Sequence, residues 1–421
     1  MRPFHVLFPA VLLFLGAAVS FSGPQGQGLA SRPLDPPAAP GAMGSGVTLS
    51  GNDVLLTWLE PIGLSGTGGH RLRFSRLSGD RWSAPVTIAS GSRFFANWAD
   101  FPGAIQAPDG SLVAHWLELS GGEKYAYGVK LARSTNRGAT WSPIGSLHPP
   151  GGSGEHGFVS WVPERNGVRG FWLDGRDLKG DSEEDGAMTL RTAAVQGGKA
   201  TGEEKIDDRV CSCCQTDAAL AASGPVIAYR DRSGEEVRDV SVIRRISKGS
   251  TGQGWSRPVR VHADNWKIPG CPVNGPAIAA SGRHVAVAWF TAAPPSPKVQ
   301  VAFSEDGGAT FGPAALVDGD KPIGRVDLVI DGNGGGSGKG DALVSWLAAD
   351  GNRGSGASVR LRRVTPKGKL GPPLPIAATS AARNSGFPRM VLNGGRLILA
   401  WVEDGQPSKL RTATVNVNAI R

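Results

Sequence analysis

An aromatic residue recurs along this chain at a nearly constant interval. Trp58, Trp116, Trp172, Tyr229, Trp289, Trp346 and Trp401 are separated by 58, 56, 57, 60, 57 and 55 residues. Each closes a short apolar run, and the same pattern returns around each. It is cleanest after Asn274, where GPAIAASGRHVAVAWFTA reads as a strand over 277–280, a Ser281-Gly282 turn and a second strand ending at Trp289. VQVAFSEDGGATFGPAALV then reads as a third strand, a turn and a fourth. Four strands joined by hairpins form one antiparallel sheet, and seven such copies predict the blades of an all-β propeller. A lone blade cannot bury both of its faces, so the closed ring is the folding unit.

The units span about 47–90, 101–148, 157–207, 217–262, 274–317, 325–377 and 387–421. The last shows only three strands, and the N-terminal segment is the expected source of the fourth. With 61 Gly and 31 Pro in 421 residues, the chain is turn-dense, and 40% hydrophobic against 19% charged residues makes it globular. The formal charge of +9 comes from scattered Lys and Arg rather than from a basic run, which argues against a nucleic-acid partner. Residues 1–20 read as an export signal: Arg2, an apolar stretch over 6–19, and Ala18-Val19-Ser20 as a small-x-small cleavage site. The stretch is short and carries Pro9, so no transmembrane helix beyond the signal is expected. Residues 21–45 read as a Pro/Gly-rich linker, 46–421 as the propeller, and the product as a periplasmic or secreted monomer.

A second repeated feature lies between third and fourth strands. Ser304-Glu305-Asp306-Gly307-Gly308-Ala309-Thr310-Phe311 is S-x-D-x-G-x-T-F, and 134–141 repeats it with Asn136 for the Asp and Trp141 for the Phe. Decayed copies end at Trp82, Trp255 and Leu370. The Asx side chain accepts turn amides, Gly supplies positive φ and the aromatic packs into the blade. These turns resemble the Asp boxes of the bacterial sialidase-like (BNR-repeat) β-propellers, over a span from about Val47 to the C-terminus. The resemblance implies a site on the face opposite the boxes, where fourth-to-first and second-to-third loops meet. Because the enzymes it resembles have six blades, six is the runner-up to seven. It also implies a sialidase set of three arginines, a Tyr nucleophile with its Glu, and an Asp acid/base. This chain departs from that set: it has no F-R-I-P string, and Tyr125, Tyr127 and Tyr229 are its only tyrosines. No release of sialic acid is therefore expected.

The expected site face is densest at Asp207-Asp208-Arg209-Val210-Cys211-Ser212-Cys213-Cys214-Gln215-Thr216-Asp217, with Cys271 and Asn274 in the equivalent loop of the next unit. Arg230, Asp231, Arg232 and Arg238 lie between them. The cysteines are expected to converge, either as structural disulfides, as a Cys-bound zinc or copper site, or as a redox pair. The C-x-C-C run is read as lacking the spacing of a zinc knuckle. Two residues after the repeat aromatic stand Glu60, Glu118, Asp174, Asp231 and Glu403, which are either solvated strand ends or a ring of carboxylates at the channel mouth. The sequence thus favours a protein that binds a small molecule, carbohydrate or metal at the mouth of blades three to five. Its candidate contacts are Arg176, Asp208, Arg209, Gln215, Asp217, Arg230, Arg232, Arg238 and Asn274, with Cys211, Cys213, Cys214 and Cys271 as metal ligands or bridges. The alternative is a sialidase-like glycoside hydrolase, or a lyase, acting on an anionic sugar through Asp174 and Asp231.

Overall fold

The computed structural model describes residues 31–63, 68–121, 125–149, 154–178, 186–247, 252–332, 340–351 and 356–421. The segment 1–20 expected to be an export signal lies outside them, as does the acidic run 181–185. The chain forms seven antiparallel sheets, each of four strands or of four with one split, so the count is seven and the six-bladed alternative falls. The innermost strands are Met43–Ser50, Gly103–Gln106, His156–Glu164, Asp217–Ala221, Ala277–Ser281, Pro322–Asp331 and Arg389–Asn393. They open blades 1 to 7 in chain order. Blade 7 takes its outer strand from the N-terminal side, where Arg32 pairs with Thr414 and Pro33 with Ala413. Leu34 continues that contact, donating its amide to Thr412 at 2.9 Å and burying its side chain between blades 7 and 1. Among the described residues no helix is long and apolar enough to cross a membrane.

The second strand of each blade explains the repeat. Gly167–Asp174 is buried at every position, as a strand covered by blades on both sides must be. Side chains alternate across it, so half face the preceding blade and half the following one. Seven apolar clusters result, one between each pair of consecutive blades, including blades 7 and 1. The repeat aromatic always faces backwards. Trp58 packs against blade 7 with Ile398 and Ala400, Trp172 against blade 2 and Trp346 against blade 5.

The two best Asp boxes close third-to-fourth turns. Ser304 Oγ accepts the Gly308 amide at 2.8 Å, and Asp306 Oδ1 accepts the amides of Ala309 and Thr310, both at 2.9 Å. Burial alone would raise the Asp306 pKa. The hydrogen bonds from Thr310 and Ser304 outweigh it and hold the carboxyl at about 2. In the other box Arg137 occupies the left-handed position (φ 61) that Gly307 fills here, and its guanidinium meets Asp53 at 3.0 Å. Both boxes lie with the first-to-second turns, since Gly307 donates to Arg283 at 2.9 Å. Strand direction puts the cysteine loops at the opposite end.

Candidate functional site

Three loop segments meet on the site face of blades 4 and 5. The fourth-to-first loop carrying Val210 and Cys211 bridges to the second-to-third loop of blade 4, through Val210 with Asp231 and the Cys211 amide to Arg230 at 3.0 Å. The far edge of that second-to-third loop bridges to the next fourth-to-first loop: Val237 pairs with Lys267, and Arg238 donates to Trp266 at 2.9 Å. Asp239 fixes the corner by accepting the amides of Asn265 and Trp266, both at 3.0 Å. Glu236, Asn265 and Val273 all adopt left-handed φ (63, 54 and 48). For a β-branched residue such as Val273 this conformation costs about 1–3 kcal/mol, and backbone strain of this kind concentrates at functional loops.

The four cysteines converge as the loop topology predicts. Cys213 and Cys271 form a disulfide with Cα atoms 5.9 Å apart. Cys211 and Cys214 are free thiols, each 1% exposed, with sulfurs 2.9 Å apart. The sulfurs of Cys211, Cys213 and Cys214 lie within 4.8 Å of one another. Cys211 and Cys214 form a C-x-x-C pair nested in the C-x-C-C run, a spacing the sequence reading passed over. Arg238 donates to the Cys211 sulfur at 3.5 Å. Burial would push the Cys211 thiol up, but the Cys214 hydrogen bond and the charges of Arg238 and Arg230 overcome it and bring the pKa to about 6. Burial and the neighbouring Cys211 push Cys214 well above the usual thiol range.

The arginines are structural members of this site. Arg230 is 2% exposed, lies 4.9 Å from the Trp266 ring centroid and, among the described residues, donates only to the carbonyls of Asn274, Arg238 and Phe290. Arg209, Arg232 and Arg238 gather around Glu236 at 3.3, 2.7 and 2.8 Å. The hydrogen bonds and charges of Arg232 and Arg238 hold the Glu236 carboxyl at about 2, although burial opposes them.

Other sequence candidates tie blades together. Gln215 Oε1 accepts the Gly275 amide at 3.0 Å, Asp217 Oδ2 the Ile278 amide at 2.9 Å, and Asn274 Oδ1 the Arg325 amide at 2.7 Å. In each case a side chain entering one blade holds the inner strand of the next, which occupies its polar atoms. Gly275 is required for this approach, since a Cβ there would stand 2.0 Å from the Gln215 carbonyl oxygen. Asp208 is exposed and pairs with Lys205 at 2.6 Å.

The ring of acids divides. Glu60 and Asp174 accept the indole N–H of Trp58 and Trp172 at 2.8 and 2.7 Å. Asp264, from the loop before blade 5, does the same for Trp289 at 2.6 Å, and Asp318 for Trp346 at 2.5 Å. Tyr229 donates its hydroxyl to Asp207 in the equivalent place. Glu60 and Asp174 stand two residues after their aromatic, as the sequence pattern picks out, whereas Asp264, Asp318 and Asp207 come from the preceding loops or strands and escape it. Asp174 is fully buried, with Arg176 on both oxygens at 2.7 and 2.6 Å and His156 at 3.5 Å. Burial would raise its pKa, but Arg176, His156 and Trp172 pull it below the ordinary value. Asp231 is only half-buried, and its near neighbour is Asp207. Burial raises both carboxyls, and the Asp207 charge raises Asp231 further. Such a pair supplies a group protonated where isolated carboxyls are ionised.

Toward the axis, the fourth-to-first loop ahead of blade 2 lies across the channel mouth. Gln215 Nε2 donates to the Ala99 carbonyl at 2.7 Å, and Trp98 stacks on Phe387, with ring centroids 5.9 Å apart, from the loop ahead of blade 7. Trp98, Phe101, Cys213 and Val273 all pack on the cluster containing Ala99, Phe158 and Phe387, so the cysteine site and the mouth are continuous. Arg325 and Arg383 flank Trp98, at 4.8 and 5.9 Å from its centroid. Arg325 is 5% exposed and bonds to Ser385 and backbone carbonyls, while Arg383 is exposed. Among the described residues neither has a carboxylate partner. Nothing in the sequence pattern marks these residues, because they meet only through ring closure.

The channel itself holds a cavity of about 330 Å³ lined by all seven inner strands, with Asp100, Asp217, Asp327 and Arg389 as its charged groups. Asp100 accepts the Phe158 amide at 2.8 Å, yet burial and Glu155 push its pKa to about 8. In the unfolded chain it returns to 3.8. Between those values the native state holds a proton that the unfolded state has lost, so stability falls as pH rises through the window. Asp100→Asn is expected to abolish most of this slope and to melt above the parent at pH 8, as measured by thermal midpoints across the range. A parallel slope in both proteins would remove Asp100 as its cause.

No protein-family model matches the chain, and no curated protein matches it. Solved structures do. An α-L-arabinofuranosidase of Fusarium graminearum, in complex with arabinobiose, shares 13% identity at a TM-score of 0.50, over 94% of this chain and 99% of that one. An ulvan lyase of polysaccharide lyase family 25 shares 9% at 0.53, over 93% and 94%. The NanB sialidase from Streptococcus pneumoniae is more distant, with 9% identity at 0.45, over 93% and 70%. The fold is shared; the sequence is not. At such identities the likeness establishes the propeller and leaves the chemistry to the residues.

Proposed function

We propose that this chain is a carbohydrate-active propeller that takes an anionic sugar at the channel mouth. The observation that carries the reading is the exposed Arg383 guanidinium beside Trp98, without a carboxylate partner among the described residues, while Arg325, whose N–H groups go to Ser385 and backbone carbonyls, holds the loop that presents it. An indole face suits the C–H face of a sugar ring, and guanidinium forks suit carboxylate or sulfate. The similar structures support the class: one is an arabinofuranosidase, and a family 25 ulvan lyase was solved bound to -[GlcA(1-4)Rha3S]-. They favour an enzyme, hydrolase or lyase, over the binding protein that the sequence puts first. In this reading Asp231 keeps its acid role with Asp207 as partner, and Asp174 serves the blade.

Titration calorimetry of the full chain with uronate-bearing, sulfated and neutral oligosaccharides tests this. Anionic ligands should bind, and Arg383→Ala should weaken them about tenfold or more without lowering the melting temperature, because Arg383 is exposed. Equal affinity for neutral sugars, or an unaffected R383A variant, would refute the platform. New reducing ends alone would mark a hydrolase and unsaturated uronate a lyase. Sialic acid release from an α-linked reporter is not expected.

A further inference from the structure

The cysteine cluster adjoins the sugar platform and is built in two layers. Cys271 is exposed and its bridge partner Cys213 half-buried, whereas Cys211 and Cys214 lie beneath at 1% exposure. A surface disulfide thus covers a buried dithiol, with the Cys211 and Cys213 sulfurs no more than 4.8 Å apart. A purely structural cluster has no need of a second pair of thiols in contact with each other. Arg238 on Cys211, and the absence of any carboxylate on Arg230 among the described residues, make the buried layer electropositive. That environment suits an anionic sulfur.

We propose that the four cysteines form a thiol–disulfide relay that carries two electrons between the buried Cys211/Cys214 pair and a partner protein's disulfide. The Cys211 thiolate attacks the Cys213 sulfur; the Cys213–Cys271 bond breaks and Cys271 leaves as a thiolate. Cys214 gives its proton to Cys271 and attacks the Cys211 sulfur, releasing Cys213 as a thiolate. The buried pair is then a disulfide, the surface pair a dithiol, and no atom or electron has left the chain. The surface dithiol next reduces an exposed disulfide on the partner by the same exchange and becomes bridged again. The reverse sequence recharges the buried pair from a partner dithiol. Closing Cys211–Cys214 needs the sulfurs to move from 2.9 Å to a bonded separation of about 2.05 Å, a shift within one loop. Their C-x-x-C spacing is the one that exchanging dithiols commonly use.

The test uses the full native chain, oxidised completely and then given a single equivalent of dithiothreitol. Samples are acid-quenched over time, and thiols are labelled with light and then, after full reduction, heavy maleimide for site-resolved mass spectrometry. Thiols are expected first at Cys213 and Cys271, the layer that reductant can reach, and later at Cys211 and Cys214 as the surface bridge re-forms. Metal content is measured on the same preparation. Three results overturn the relay: thiols that stay on Cys213 and Cys271, a Cys211/Cys214 pair that never oxidises, or stoichiometric zinc or copper whose removal is needed before Cys211 and Cys214 label. The last would make the cluster a soft-metal site instead.

Discussion

Arg230→Met should cost about 3–5 kcal/mol of stability, read as a lower urea midpoint with an unchanged slope. Arg230 is a blade 4 residue whose guanidinium reaches the Asn274 carbonyl at 3.0 and 2.8 Å and the Phe290 carbonyl at 2.8 Å, both in blade 5 or the loop entering it. A further bond at 2.6 Å holds Arg238, the residue beside Cys211. Methionine fills most of the volume and offers no donor, so three carbonyls lose a partner, each at about 1–3 kcal/mol where no water enters. Lysine should rescue little, because one ammonium cannot satisfy a fork of divergent carbonyls while lying on Trp266. A loss below about 1 kcal/mol would mean that the pocket fills with water and the arginine is dispensable to the blade contact.

Removing the surface bridge should have an effect of similar size by a different route. The Cys213–Cys271 bond closes a loop of 58 residues that spans the whole of blade 4. Chain-entropy arguments give about 4 kcal/mol for a loop of that length. The double substitution C213S/C271S is expected to lose this amount, and reduction of the parent should lose about as much. Urea melts of the variant and of the parent, with and without reductant, check both. If the variant matches the oxidised parent, blade 4 is held by its ties to blades 3 and 5 alone. Those ties include Thr216, whose hydroxyl donates to the Phe158 carbonyl of blade 3 at 2.7 Å, and the Gln215 and Asp217 side chains on the Gly275 and Ile278 amides toward blade 5, all present in either protein.

The two substitutions act on the same seam, so their effects should not simply add. Loss of Arg230 frees the Asn274 carbonyl just beyond the bridge, and loss of the bridge lets Val273 leave its left-handed conformation. A combined cost smaller than the sum is expected, because whichever change comes first releases strain that the second would have relieved.

The seven aromatics, their even interval and the Asp-box turns determined the blades, their number and the face on which the cysteines lie. Those features are local: a strand with both faces covered must be apolar at every position, and a tight turn must carry Asx and Gly where its amides and φ demand them. Even the convergence of the cysteines was legible, because equivalent loops of adjacent blades run side by side. Which cysteines bridge was not, since Cys211, Cys213 and Cys214 are interchangeable in sequence and only the fold of their loop separates an exposed sulfur from buried ones. The polar residues divide in the same way. Nothing in the chain's order distinguishes Asp231, half-exposed beside Asp207, from Asp174, sealed under Arg176. The Trp98, Arg325, Arg383 and Phe387 cluster was wholly invisible, because its members are brought together by closing the ring and by nothing nearer in the sequence.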